Sequence, residues 1–180
     1  MKRVILPLLF AFLLVAGCGG VARMPAGEPI TGSFAYVTGK YGVGFQDMTF
    51  MRNGDENDPN QIRLTSDADY PLYKVQPGKY MATKFTDGAG SFSGRLGEFT
   101  AETGKITYIG DIEVSYGYNL PAANQPQYGR QGPITTLHGS ASLSVMNNAG
   151  EAKAAIRKNY PGLAGNLDTI FVYRPVASPR

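Results

Sequence analysis

Lys105-Ile106-Thr107-Tyr108-Ile109-Gly110-Asp111-Ile112-Glu113-Val114-Ser115-Tyr116 is the clearest alternating stretch in this chain of 180 residues. Successive side chains of a β-strand point to opposite faces, so positions two apart share a face. Ile106, Tyr108, Ile112, Val114 and Tyr116 therefore line one face, and Lys105, Thr107, Asp111, Glu113 and Ser115 the other. One apolar face and one wet face is the antiparallel pattern. Only Ile109 breaks it. It does so beside Gly110, where a bulge or bend would divide a long strand.

Shorter strands precede this one: Thr31 to Val37, Phe45 to Arg52, Ile62 to Thr65, Tyr70 to Val75, Tyr80 to Thr86 and Ser91 to Thr100. Glycine-rich turns separate them around Gly39, Tyr41 and Gly44, at Asp87-Gly88-Ala89-Gly90 and at Thr103-Gly104. Pro77-Gly78 is the strongest turn signal, because proline presets φ and glycine accepts φ > 0. Phe45, Met48, Phe50 and Met51 make the second strand apolar on both faces, as a central strand would be.

Beyond the long strand, Gly117–Pro133 is a loop of 17 residues rich in Pro, Gln, Asn, Tyr and Gly. Loops of that length are usually functional or disordered. Leu137, Ala141, Leu143 and Val145 then alternate with His138, Ser140, Ser142 and Ser144 as another half-buried strand. A single helix is expected over residues 148–160. Asn148 is placed to cap it, with Glu151 in a capping-box position. Ala152, Ala155, Ile156 and Tyr160 share its inner face, Arg157 and Lys158 suit its C-terminal end, and Pro161-Gly162 stops it. Thr169 to Tyr173 reads as a last strand and residues 175–180 as a tail.

Composition agrees with a β-rich domain: 23 Gly, 11 Tyr and 9 Phe, with few helix-forming runs. The single cysteine excludes a disulfide framework and a thiolate metal cluster. The formal charge of +3 shrinks on inspection. Lys2 and Arg3 lie in the first 17 residues, which hold no acid, so 15 basic residues face 14 acidic ones in the remainder. No basic run is left to argue for nucleic acid, and no residue set argues for a cofactor.

Lys2 and Arg3 precede an apolar run from Val4 to Ala16, interrupted by Pro7. That run is well short of the ~20 residues a membrane-spanning helix needs, and it has the length of a signal-peptide core. It ends in Leu14-Val15-Ala16-Gly17-Cys18. Val15-Ala16-Gly17-Cys18 resembles the lipobox of bacterial lipoproteins. The resemblance implies cleavage between Gly17 and Cys18, lipid on the Cys18 sulfur, and acylation (as with palmitate) of the new amine. It also implies a cell-envelope protein held to the membrane by that lipid. Gly19 stands where aspartate would signal inner-membrane retention, so an outer-membrane anchor facing the periplasm or the surface is expected. The alternatives are an ordinary secretory signal with an incidental cysteine, or a membrane-buried N-terminus. Residues 18–29, rich in Gly, Ala and Pro, read as a flexible tether.

The hairpin Val75-Gln76-Pro77-Gly78-Lys79-Tyr80, followed by Gly104-Lys105-Ile106-Thr107-Tyr108-Ile109-Gly110-Asp111-Ile112, resembles uncharacterised bacterial lipoproteins with a carboxypeptidase-regulatory or transthyretin-like domain. The helix ending Asn159-Tyr160-Pro161-Gly162-Leu163 is similar to a segment near the ends of such proteins. The resemblance implies a mainly β fold: an antiparallel β-sandwich of the transthyretin (prealbumin) type over residues 30–174, with one C-terminal α-helix. It carries no catalytic residue across.

Four sets of residues bear on function. His138 shares a strand face with Ser140, but same-face neighbours lie ~6.6 Å apart along a strand, which is awkward for direct contact. Asp111 and Glu113 form an acidic pair compatible with hydrolytic chemistry, and equally with solvated charges on a sheet face. Asn53 to Asn60 is a polar loop rich in oxygen donors, but Asp58 falls where a calcium loop starting at Asn53 needs glycine. Tyr116, Tyr118, Tyr128 and Arg130 suit a binding surface, since rigid aromatics and arginine dominate recognition hot spots. The expected function is a non-catalytic binding or structural module that contacts another envelope protein or a glycan. An envelope hydrolase acting on glycan or peptide is the alternative.

Overall fold

The structure, a computed structural model, describes residues 21–42, 45–65, 69–87, 91–118 and 139–177. It is mainly β. In chain order the strands are β1 (Ala35–Tyr41), β2 (Phe45–Arg52), β3 (Ile62–Thr65), β4 (Tyr73–Val75), β5 (Gly78–Asp87), β6 (Ser91–Ala101), β7 (Ile106–Tyr118) and β8 (Gly139–Met146), then β9 (Phe171–Tyr173). Helix α1 (Ala149–Asn159), a 3₁₀ turn (Pro161–Leu163) and the short α2 (Leu167–Ile170) lie between β8 and β9.

Two sheets result, one ordered β4-β1-β7-β8 with β9 also on β7, the other β3-β2-β5-β6. The second is antiparallel throughout, whereas the first is mixed: β1 and β9 both run parallel to β7. The expectation of a wholly antiparallel arrangement is corrected there. A parallel neighbour needs a crossover, and the chain supplies it by leaving for the second sheet between β1 and β7. Pro77-Gly78 likewise closes no hairpin, because β4 and β5 belong to different sheets. The turn is a corner, held by the Tyr80 hydroxyl donating to the Gln76 carbonyl at 2.8 Å.

The main core lies between the sheets. Val37, Tyr41, Tyr73, Val75, Ile109, Ile112 and Val114 from the first sheet meet Met48, Phe50, Ile62, Leu64, Tyr80, Phe85 and Phe99 from the second. Phe99 stacks on Tyr80 at 5.5 Å and meets Phe50 edge-on at 5.3 Å. A second core covers the opposite face of the first sheet, where Tyr36, Leu72 and Ile106 pack against Ile156, Tyr160, Leu163 and Leu167.

The long strand β7 therefore has two apolar faces, and Gly110 switches between them. Ile106 and Tyr108 point towards the helices, while Ile109, Ile112 and Val114 point into the core between the sheets. Gly110 has φ +96, and the β1–β7 register slips between Thr38 and Lys40, opposite this point. The extra residue moves every later side chain to the other face. Ile109 is thus in phase with the second half of the strand, and the apparent exception was the marker of the bulge. Gly39, expected in a turn, lies inside β1 because a Cβ there would sit 2.7 Å from Ile109 Cγ1.

Both ends of the described residues are strapped to the sheets. Val21 donates to the Gln61 carbonyl at 2.7 Å, Arg23 bridges Tyr73, and the buried Met24 donates to Leu72 at 2.7 Å. The stretch 21–24 is therefore packed structure rather than tether. At the other end Arg174 and Val176 donate to the Tyr108 and Ile109 carbonyls, and Ala177 pairs with Glu98 of β6 through bonds of 2.8 and 3.0 Å. Val176 is buried in the inter-sheet core, so residues 175–177 are no tail. The expected single helix becomes two helices with a 3₁₀ turn between, and the last strand shortens because 167–170 coil as α2.

An alanine test separates the bulge from an ordinary glycine. A Cβ on Gly110 would lie 2.3 Å from Val145 Cγ1 at a positive φ, whereas one on Gly150 in α1 meets nothing within 4 Å. Gly110→Ala should cost roughly 1–3 kcal/mol from backbone strain alone, while Gly150→Ala should gain about 0.4–1 kcal/mol. Denaturant midpoints that shift alike would remove Gly110 from this role.

Candidate functional site

The bulge turns Asp111 towards the helix-covered face, and it is only 7% exposed there. The Tyr108 hydroxyl donates to its Oδ1 at 2.8 Å; the Tyr70 hydroxyl and the Asn148 side-chain amide donate to its Oδ2 at 2.9 and 2.7 Å. The Asn148 backbone N–H closes the set by donating to the Tyr108 hydroxyl at 3.0 Å. A buried carboxylate has no water to solvate it, so it persists only when such donors satisfy its oxygens.

Each donor comes from a different element. Tyr108 is on β7, three residues before the acid and across the bulge. Tyr70 lies on the approach to β4, in the left-handed region at φ 51 and fully buried. A bulky residue is rarely found there, and it persists where the surroundings over-determine it. Its ring meets Tyr108 edge-on at 6.1 Å, and Tyr108 in turn packs on Phe171 and Tyr173 at 5.7 and 5.4 Å.

Asn148 precedes α1 but makes no side-chain cap: its side chain turns to Asp111, to which Nδ2–H donates, and its Oδ1 accepts from no N–H of the first turn. The capping-box expectation is corrected accordingly. Asn147 Oδ1 accepts from Ala149 instead, at 3.2 Å, and Glu151 reaches across to Lys40 at 3.4 Å. Lys40, paired in register with Asp111 on the neighbouring strand, also contacts Asp69 at 3.2 Å and sits 5.6 Å over the Tyr70 ring. The Asp69 carboxylate, with Glu151, holds the Lys40 ammonium above its ordinary pKa against partial desolvation. The negative charge of Asp111 lies at the N-terminal end of α1, where the helix dipole favours it.

This arrangement is closed chemistry. Asp111 accepts three hydrogen bonds from protein groups, which leaves it poorly placed to act as an acid, base or nucleophile on a substrate. Its expected partner Glu113 lies outside, exposed and two residues along. Asp58, the only buried acid of the polar loop, is similarly engaged: Asn60 donates to it through both its backbone and its side chain, and Arg52 Nε lies 2.6 Å away. Burial opposes its ionisation, but those donors win and hold its pKa low. The Arg52 guanidinium is thus the cation with which this carboxylate pairs. Among the described residues no three His, Cys, Asp or Glu side chains gather where they could hold a metal, and no helix is long and apolar enough to cross a membrane.

Gly17, Cys18, Tyr128, Arg130 and His138 lie outside the described residues. Tyr116 and Tyr118 are backbone positions at the far end of β7, opposite Ala141 and Gly139. Tyr70 is the member of the Asp111 cluster that no sequence pattern marks, since its contact depends on a turn 41 residues away in the chain. Comparison of the chain with protein-family models, curated proteins and solved structures gave no match.

Two measurements test the cluster. Asp111→Ala strands two buried donors, the Tyr70 and Tyr108 hydroxyls, at about 1–3 kcal/mol each, so the denaturant midpoint should fall severely. Tyr70→Phe, which leaves two donors, should cost about 1.5–3 kcal/mol. Burial, reinforced by the Asp111 hydrogen bonds, raises the Tyr70 and Tyr108 phenols well above their ordinary value of 10.0, and burial pushes Tyr80 up to about 12. Above pH 10 the unfolded chain releases phenolic protons that the folded chain keeps, so stability should hold below that pH and fall as pH rises through it. Phenolate absorbance should show these tyrosines titrating only as the fold is lost; complete titration of the native protein near pH 10 would contradict their burial.

Proposed function

We propose that this chain is a lipid-anchored protein of the bacterial cell envelope, and that its domain, a β-sandwich of the transthyretin type, is a non-catalytic binding or structural module. The observation that carries the location is the Val15-Ala16-Gly17-Cys18 pattern after a short apolar run. Lipid on Cys18 at ~0.8 kcal/mol per buried CH₂ would hold a domain of this size, provided that more than one chain is attached.

Strapping of the N-terminal segment sharpens the geometry. Val21 is already hydrogen-bonded to Gln61 beside β3, three residues after Cys18. Three residues reach at most about 10–11 Å. A lipid on Cys18 therefore keeps the β3–β4 side of the domain close to the bilayer surface, in place of the looser attachment that a tether over 18–29 implies. Two core layers built round one sheet support β7, whose far end carries Tyr116 and Tyr118; these, with Tyr128 and Arg130 of the following sequence, would meet an envelope protein or a glycan.

The engagement of Asp111 by three protein donors favours the non-catalytic reading over a hydrolase. A hydrolase built on Asp111 and Glu113 would need to free the first from three hydrogen bonds before it acted.

Cys18→Ala should abolish incorporation of labelled palmitate and leave an unprocessed or mislocalised precursor whose domain melts as wild type. A variant still cleaved and membrane-bound would overturn the anchoring. Deleting Pro121–Gly132 should abolish capture of a crosslinked envelope partner without changing the melting transition. An unchanged crosslinking profile would remove that loop from the contact surface.

A further inference from the structure

Arg52-Asn53-Gly54-Asp55 turns the chain at the end of β2, and its two central residues both lie in the left-handed region, at φ 54 and φ 74. Three backbone bonds hold it. Asp55 N–H donates to the Arg52 carbonyl at 3.1 Å, Asn53 N–H to the Lys79 carbonyl at 2.8 Å, and Gly54 N–H to the Met51 carbonyl at 3.3 Å. Such a turn selects asparagine followed by glycine, because both tolerate φ > 0. Space selects glycine a second time, since a Cβ on Gly54 would lie 2.1 Å from the Met81 methyl carbon. This is the only Asn-Gly pair in the chain.

We propose that Asn53 is a site of spontaneous deamidation in the folded protein. The Gly54 amide nitrogen, its proton taken by solvent base, attacks Asn53 Cγ. The bond from Gly54 N to Cγ forms, the Cγ–Nδ2 bond breaks, and ammonia leaves with a proton from water. Water then opens the cyclic imide. Cleavage between Gly54 N and Cγ gives aspartate, and cleavage between Gly54 N and the Asn53 main-chain carbonyl carbon gives isoaspartate. Water is the only co-reactant.

The structure concentrates this chemistry on Asn53. Its side chain is exposed, and no hydrogen bond from another described residue holds its amide. Gly54 has no side chain to shield its nitrogen, and the bond that must open for the nitrogen to swing towards Cγ is the longest of the three in the turn. Other asparagines are engaged: Asn60 and Asn148 donate to Asp58 and Asp111, and Asn147 accepts from Ala149. Every asparagine except Asn53 also precedes a residue with a side chain. The fold therefore requires, for backbone conformation and for space, the two residues that cyclise most readily. Conversion adds a negative charge close to the exposed Asp55 and Glu56. Aspartate tolerates the left-handed region as asparagine does and keeps the turn. Isoaspartate adds a methylene to the main chain between the bonds to Lys79 and Arg52, and so loosens it.

Ageing the folded full-length protein at mildly alkaline pH in water enriched in heavy oxygen tests this, with isoelectric focusing and peptide mapping as the readouts. A species with one more negative charge should accumulate. Its change in mass and its heavy oxygen should be confined to the peptide that holds Asn53, divided between aspartate and isoaspartate. Asn53→Gly keeps a residue suited to the left-handed turn and removes Cγ, so it should lose that species while retaining the wild-type circular dichroism spectrum. Acidification that maps first to another asparagine, or that continues at the wild-type rate in Asn53→Gly, would overturn the proposal. So would conversion of Asn53 that begins only once urea has unfolded the chain, because the turn would then protect the residue. The state of Cys18 enters none of these readouts.

Discussion

One extra residue in β7 sets the terms for most of this molecule. A strand that is apolar on one face can close one core, but this sheet has to close two. The bulge at Gly110 solves the problem within a single strand: its first half feeds the helix-side core through Ile106 and Tyr108, and its second half feeds the inter-sheet core through Ile112 and Val114. The same offset decides where the neighbours go. β9 pairs with Ile106–Tyr108 and β8 with Asp111–Tyr118, so two strands share one side of β7 and meet at the bulge. The backbone carbonyls there accept from Arg174 and Val176, which carry the chain across to β6.

Burial of Asp111 follows from that geometry, and its energetics argue for a role in arrangement more than in net stability. Removing a carboxylate from water costs several kcal/mol, which good hydrogen bonds offset without a large surplus. What the acid contributes is selectivity among dockings. Tyr70, Tyr108 and Asn148 come from a loop, a strand and the start of a helix, and the two bonds from Asn148, to Asp111 and to the Tyr108 hydroxyl, tie the start of α1 to the sheet. Apolar contact alone between Ala152, Ile156 and the sheet would tolerate a slide of the helix. The strained backbone of Tyr70 and the unused capping position of Asn148 are local costs that the shared carboxylate offsets.

Much of this was visible in the residues, and the parts that were not have a common cause. Strands show in the alternation of Ile62–Thr65, Tyr80–Thr86 and Leu143–Val145 because each buries one face locally. Helix α1 shows in its apolar spacing and its Pro161-Gly162 stop. What alternation cannot show is which sheet a strand joins: Val75 and Tyr80 flank an ideal turn, yet they belong to different sheets. Nor can it show that a polar residue on the wet side of a pattern will be covered later. Asp111 looked solvated because its cover, α1 and the Tyr70 turn, is remote in sequence. Ile109 and Gly110 together were the available signal, since an apolar residue on the wrong face beside a glycine is what a phase change looks like. The straps were hidden for a plainer reason: Arg23 and Met24, like Val176 and Ala177, bond through backbone groups that every sequence possesses.

Those straps also change how the domain meets its surroundings. A sheet edge is a row of unpaired backbone groups, and closing it takes either a covering segment or a partner. Residues 21–24 and 174–177 do this at opposite sides of the fold, and each stretch bonds to both sheets or their flanks, which fastens the two together. In the first sheet β8 is then the strand farthest from residues 21–24, which bridge to β4, with about 14 Å between the axes of β4 and β8.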